Sequence, residues 1–582
     1  MALYTQTSPV ARYGLSGNKF IDGLLPGLVS SRVAWSTKDA GGVTQVTYSF
    51  PWVDGAASVF APNYGRGENV AAVTAPVSAA QAQQIAGAFT AWSNVANVAF
   101  MQVAETADGT VGDIRVAFTS AVPGAYWGYA LGVSDGMSNA HGDIWIDDSI
   151  IGQSFAPGTY NYMAMMHEIG HALGLKHPFE GAKIPSGFDN RRYTIMSYTD
   201  PDKVWWHKPE TGANEYLIKS PMVYDILAIQ KIYGANMAWH TGDDVYAFSP
   251  TAPSFEAIWD AGGTDTFSVA AFSGACTIDL TAGAYSSLGY DTVSLTKNIG
   301  IAFNCTIENA IGGAGADTLL GSATANGLSG GGGNDVLRGN AGDDVLNGEG
   351  DNDTLDGGAG NDALDGGAGD DLLDGGAGDD VLTGGEGIDA ANYSAIRSGV
   401  KVGLDIQGLQ ATGAGNDSLT GIENVVGGAG ADLLVGDAGA NRLEGGAGAD
   451  RLVGGEGADV LVGGEGRDLT VGGGGADVFR FATIKELAGK AAPAADEIYD
   501  FSHAEGDLID LSALDAIKST TSVNDAFTWI GEAAFTKHAG ELRYAVALGV
   551  GLVTGDIDGN GSADFAIRID GGVALVAEDF VL

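Results

Sequence analysis

Hydrophobic and polar positions follow more than one period along the 582 residues, and each period marks a different kind of segment. Over residues 1–240, helix and strand periods interleave. Val46–Phe50 reads as a strand, Asp113–Phe118 alternates like a half-buried one, and Ile144–Ile146 is a third, short strand. Ser78 and Gln81 are spaced as a capping box, and the helix they open carries Ile85, Phe89, Trp92 and Ala96 on one face. A second helix is expected from about Tyr160 to Leu173. A third starts near Ser220–Pro221, with Met222, Ile226, Ile229 and Tyr233 as its buried stripe. That mixture makes an α+β domain.

After Asn236 the pattern changes, and from Gly312 a nine-residue unit takes over, as in Gly357-Gly-Ala-Gly-Asn-Asp362-Ala-Leu-Asp. The sixth residue falls at 317, 326, 335, 344, 353, 362, 371, 380 and 389, and in a second block at 432, 441, 450, 459, 468 and 477. Every one of these is Asp except Asn326 and Asn441, and the eighth is usually Leu. This is the RTX nonapeptide, whose glycines turn the chain while Asp supplies hard oxygen to Ca²⁺ between stacked turns of a parallel β-roll. One turn takes two nonapeptides, so partners lie eighteen residues apart. Asp317, Asp335, Asp353, Asp371 and Asp389 form one row, and Asp344, Asp362 and Asp380 the other, against Asn326. In the second block the rows are Asp432, Asp450 and Asp468, and Asp459 and Asp477. A disordered linker would show neither the strict period nor the regular leucine.

The segment Met166-His-Glu-Ile-Gly-His-Ala-Leu-Gly-Leu-Lys-His-Pro178 carries the chemistry. His167 and His171, four apart, share one face of a helix. Two imidazoles there hold one Zn²⁺, and Glu168 beside them is placed to take a proton from a water. Gly174 can adopt the left-handed turn that brings His177 round as a third nitrogen. Three protein ligands and an open position make a catalytic rather than a structural zinc site. Thr194-Ile-Met-Ser-Tyr198 then follows, completing the metzincin pattern with its Met-turn.

At these residues the chain resembles the metzincin metalloendopeptidases, and among them the serralysin family of secreted bacterial proteases. The resemblance extends to Ile21–Leu25, Tyr48–Phe50, Tyr224–Asn236, the glycine–aspartate repeats and Phe501–Ser512. It implies a metzincin catalytic domain of α+β class followed by an all-β parallel β-roll. It also implies that Tyr198 is a further zinc ligand in the resting state that swings to stabilise the oxyanion, and that Met196 packs beneath the site without binding metal. The loop 179–192 is short for the family and borders the expected cleft, so family substrate preferences do not transfer. The expected domains are 1–240 for the protease, 241–311 for a β-rich cap, 312–392 and 427–480 for the two roll blocks, 393–426 for their connector, and 481–582 for a C-terminal β domain.

Composition narrows the partners. The net charge is −45, which argues against nucleic acid and anionic membrane surfaces. Between Gly312 and Arg480 there are 29 acidic and 7 basic residues, a net of −22 that calls for divalent cations. No apolar run is long enough to span a membrane, and the N-terminus lacks a secretory leader. By resemblance, the ending Glu578-Asp-Phe-Val-Leu582 is an uncleaved address read by a type I (ABC) export apparatus. The expected location is therefore extracellular or at the cell surface. The expected partners are protein and peptide substrates, a surface-layer protein among them, and a proteinaceous inhibitor. Cys276 and Cys305 are expected as buried free thiols rather than a disulfide framework.

Competing motifs are weak. Gly132–Gly136 and Gly327–Gly331 both match the G-x-S-x-G of serine hydrolases, but neither sits between a clear strand and a helix. Asp556-x-Asp558-x-Asn560-Gly561 begins like an EF-hand, yet Ile567 stands where a bidentate Glu is needed, so a hairpin turn is expected. The remaining histidines have no ligand spacing. The alternative from another class is an RTX surface or adhesion protein with a vestigial protease domain. Such a domain should have lost a ligand or the glutamate, and none is missing.

Overall fold

The computed structural model describes residues 10–26, 33–53, 58, 60, 64, 67–70, 74–107, 109–122, 126–133, 141–487, 495–517 and 525–582. It divides into two compact units, Met1–Asn309 and Ala310–Leu582.

The first unit is built on a mixed sheet. Its strands run in the order Val98–Gln102, Thr44–Ser49, Ile114–Thr119, Ile144–Asp147 and Gly128–Ala130, with Thr74–Ala75 paired to Ile114–Thr119. The first four are mutually parallel and Gly128–Ala130 is antiparallel. The expected half-buried strand is in fact interior: all six residues of Ile114–Thr119 are buried. Arg115, which reads as an outward position, pairs with Glu105 at 2.6 Å with both side chains fully enclosed, under the Phe60 ring. A charge can be buried when its partner is buried with it.

Among the described residues the α-helices of this unit are α1 (Lys19–Asp22), α2 (Ala79–Val95), α3 (Tyr160–Ala172) and α4 (Val223–Tyr233). The capping box at Ser78 and Gln81 forms as expected, and Ile85, Phe89 and Trp92 are buried. Trp92 Nε1 donates to Met166 O at 3.0 Å, tying α2 to α3. Helix α3 is enclosed on nearly every side. Helix α4 starts at Val223, later than expected, because its cap is the carboxylate of Asp225 accepting Met222 N–H at 2.9 Å. Ser220, the expected cap, instead accepts Ala257 N–H through its hydroxyl. Cys276 and Cys305 are buried and are not joined in a disulfide.

In the second unit the nonapeptides form the expected stacked parallel strands. One sheet runs unbroken from Thr318–Leu320 through Val336–Ala341, Thr354–Ala359, Leu372–Ala377, Ala390–Asn392, Asn424–Val426, Arg442–Gly448, Val460–Gly466, Val478–Arg480 and Leu508–Asp510 to Phe580–Val581. It therefore passes straight through the stretch 393–426. The alternate strands form two separate sheets, one over Gly327–Thr420 and one starting at Lys401–Gly403. The eighth residues Leu337, Leu346, Leu355 and Leu364 are 0–2% exposed. The segment at Asp556 is a turn between the antiparallel strands Val550–Asp556 and Phe565–Ile569, its carboxylate accepting Gly559 and Gly561 N–H. Of the serine-hydrolase-like matches, residues 134–136 lie outside the described residues, and Gly327–Gly331 lies in a roll strand.

Candidate metal centre

Gly174, at φ +104°, ends α3 and turns the chain so that His177 returns to His167 and His171. One nitrogen from each ring lies within 4.8 Å of the other two. Each ring is fixed by its other nitrogen: His167 Nδ1 to Ile195 O at 2.8 Å, His171 Nδ1 to Leu175 O at 2.9 Å, His177 Nδ1 to Glu180 Oε1 at 2.8 Å. Carbonyl and carboxylate oxygens only accept, so each Nδ1 carries the proton and each Nε2 presents a lone pair. His171 Nε2 and His177 Nε2 stand 3.1 Å apart. Two facing lone pairs repel, whereas nitrogens ~2.05 Å from one tetrahedral ion lie about 3.3 Å apart. The donor set therefore fits Zn²⁺. Burial, with the neighbouring His177, lowers the His171 pKa to about 4, so the ring stays neutral and able to bind metal.

Glu168 is buried beside this set, its Oε2 without a hydrogen-bond partner, and burial raises its pKa to about 8. Tyr198 is half exposed, its ring 4.6 Å from His177 and 5.7 Å from His167. Two cavities meet here. One of about 350 Å³ is lined by Tyr126, Trp127, Tyr160, Met163, His167 and Arg191, and one of about 280 Å³ by Tyr129, Ala130, His171, Lys176 and His177. Both include Glu168 and Tyr198 in their walls. A larger cavity of about 730 Å³, bordered by α2 and the segment 239–259, contains none of these residues.

Support for the site comes from below. Met196 is fully buried, and a Cβ on Gly170 would stand 2.8 Å from its sulfur, so a larger residue there would displace the Met196 side chain. Asp225 accepts from Thr194 Oγ1 (2.5 Å), Ile195 N (2.7 Å) and Met222 N (2.9 Å), fixing the segment whose Ile195 carbonyl holds His167. Sequence inspection did not single out Gly170, Asp225 or Glu180. Glu180 alone left a signal, a carboxylate three residues beyond the third histidine.

The aspartate rows make a second kind of centre. Asp335 N–H donates to Asp353 Oδ1 (2.7 Å), Asp353 to Asp371 (2.7 Å), Asp344 to Asp362 (2.8 Å) and Asp450 to Asp468 (2.9 Å). Each carboxylate thus spends one oxygen on the turn before it. The other oxygen is buried and unpartnered at Asp335, Asp344, Asp353, Asp362, Asp371, Asp380, Asp389, Asp450, Asp459, Asp468 and Asp477. A Cβ on Gly348 would stand 2.3 Å from Asp353 Oδ2 and 2.5 Å from Gly366 O, so this close gathering of oxygens needs glycine. Buried anionic oxygen beside carbonyl oxygen with no donor fits Ca²⁺. Asp317 and Asp432 differ in that one oxygen of each accepts Gly313 and Gly428 N–H. The rows also run past the repeats, where Asp417, Glu423, Asp496 and Asp507 accept from Asp380, Asp389, Asp468 and Asp477. Insertions of irregular length break the period there, which hid those four from the sequence.

The family model described as Peptidase M10 serralysin C terminal matches residues 225–406 and 381–582, and that described as Matrixin matches residues 70–185. The chain is 33% identical over 317 residues to Serralysin of Proteus mirabilis, covering 48% of this chain and 60% of that protein. It is 33% identical over 326 residues to Metalloprotease AprA of Pseudomonas entomophila (strain L48), covering 50% and 62%. Serralysin C of Dickeya chrysanthemi is 35% identical over 268 residues, covering 42% and 54%. The chain thus spans about three-fifths or less of the length of these relatives.

Proposed function

The chain belongs to the serralysin family, and from that premise we propose that it is a calcium-stabilised zinc metalloendopeptidase cutting internal bonds of extracellular or cell-surface proteins. One observation carries the proposal: three histidines with their Nδ1 atoms tied off turn their remaining nitrogens together, next to a buried carboxylate oxygen with no partner. His167, His171 and His177 would hold the zinc, which would supply a Lewis acid for the scissile carbonyl. Glu168 takes the proton of the attacking water at its free oxygen and passes it to the departing amine. Tyr198 donates its hydroxyl to the developing oxyanion, and by family resemblance is a further zinc ligand at rest. Met196 supports the histidines without binding metal.

Calcium in the aspartate rows couples folding to location. Where calcium is scarce, unneutralised rows leave the second unit unfolded and threadable through a type I exporter. Outside the cell, binding free energy becomes folding free energy. A surface-layer protein is a substrate compatible with this route. The test is Glu168→Gln, which should retain zinc by metal analysis while casein cleavage falls about 10²–10⁴-fold. Undiminished cleavage would remove Glu168 from the base role.

A further inference from the structure

Lys176 lies one residue before His177, and its side chain is buried, only 9% of its surface exposed. Its ammonium donates to four backbone carbonyls: Gly23 at 2.5 Å, Glu180 at 2.6 Å, Ala182 at 2.9 Å and His177 at 3.0 Å. Oxygens converging on one positive centre are how proteins hold a bare cation. Three of these oxygens belong to the loop that carries His177, a loop that is neither helix nor strand. The fourth, Gly23, follows α1, in a segment where Leu24 O accepts Lys176 N–H at 2.9 Å. Glu180, whose backbone the ammonium holds, accepts His177 Nδ1–H through its carboxylate at 2.8 Å.

We infer that Lys176 is a positioning residue for the third metal ligand. Its ammonium gathers the carbonyls of His177, Glu180 and Ala182 against Gly23, sets Glu180 on His177 Nδ1, and so aims Nε2 at the other two histidines. The inference rests on the zinc reading above. Without the ammonium, buried carbonyls lose their donor and the loop must open to water. His167 and His171 are fixed independently, by Ile195 and Leu175, and keep their orientation.

The measurement is zinc affinity of the purified, calcium-loaded full chain, by competition with a chromophoric chelator. The proteins compared are wild type, Lys176→Met, Glu180→Gln and the double variant. Each single change should weaken zinc binding about ten- to a hundredfold. The double should lose little beyond the worse single, since both act through His177. The cobalt(II) absorption of Lys176→Met should shift as the third nitrogen withdraws. Wild-type zinc affinity in Lys176→Met overturns the inference, and so do losses that multiply in the double. If Lys176→Met does not fold, Lys176→Arg replaces it. A planar guanidinium cannot serve four convergent oxygens, so about tenfold weaker binding is expected, and wild-type affinity there is equally fatal. Failure of the underlying zinc reading looks different, because the wild-type chain itself would then bind no zinc.

Discussion

Removing calcium should unfold the second unit at neutral pH and leave the first standing. The magnitude follows from the eleven aspartates whose second carboxylate oxygen is buried and unpartnered, Asp335 to Asp389 in the first block and Asp450 to Asp477 in the second. A buried polar atom left without a partner costs about 1–3 kcal/mol, more when charged, so the set costs on the order of 10–30 kcal/mol. A domain has roughly 5–15 kcal/mol of stability in total. The cost wins, and the cation-free roll cannot hold its sheets. The sign with pH follows. Burial raises Asp353, Asp450 and Asp468 to about 7, and Asp335, Asp344, Asp380, Asp389 and Asp459 to about 6, against ~3.9 in an unfolded chain. The folded, cation-free roll therefore binds more protons than the unfolded chain. Its stability is greatest at low pH and is lost as pH rises through about 6–7. Circular dichroism of chelator-treated, desalted protein should show little roll signal at pH 8 and a gain toward pH 5. Hydrogen exchange should place the pH 8 loss at the buried leucine strands such as Leu337 and Leu355 and leave α3 protected. Full protection of those strands at pH 8 without calcium would refute the reasoning.

Other expectations are narrower. Asp225→Ala strands three donors, at about 1–3 kcal/mol each, and frees the Ile195 carbonyl that holds His167. Calorimetry should show the first unit melting several degrees lower, with weaker zinc binding, and an unshifted transition would show that Asp225 does not hold the Met-turn. Tyr198→Phe should lower kcat about 10²–10³-fold with KM nearly unchanged, and an effect confined to KM contradicts an oxyanion role. Gly348→Ala places a carbon 2.3 Å from Asp353 Oδ2, so calcium titration should need a higher midpoint to fold the roll. An equal midpoint would mean that the gathering of oxygens there is not close.

What could be read without coordinates was whatever recurs at a fixed interval. Histidines at helix spacing, a glycine turn and a nine-residue period each encode geometry locally, so the convergence of the three histidines, the roll and the aspartate rows of each block were legible. Contacts made by distant segments left no such trace. Arg115 sits in a strand that alternates, but its burial depends on Glu105 and Phe60 from separate loops. Helix α4 begins at Val223 because Asp225, three residues inward, outcompetes Ser220, whose hydroxyl is already engaged by Ala257. Lys176 looks like an ordinary solvated lysine until Gly23, 153 residues away, supplies an oxygen.

The two kinds of centre handle their unmet polar atoms in opposite ways. In the first unit each histidine has given its only proton to a protein oxygen, and what remains for the metal is a neutral lone pair. Around them the core residues Trp92, Met196, Ile169 and Ile229 are fully buried, so on the proposed function this site would be built before its ion arrives. In the roll eleven aspartates have one oxygen satisfied by the preceding turn and one buried without a hydrogen-bond partner. A Cβ on the glycine beside that oxygen, Gly348 beside Asp353 Oδ2 for one, would fall 2.3 Å from it, so a larger residue does not fit there. On the proposed function that close approach makes room for a cation, so one unit would use its metal for chemistry while the other would need its metal to fold.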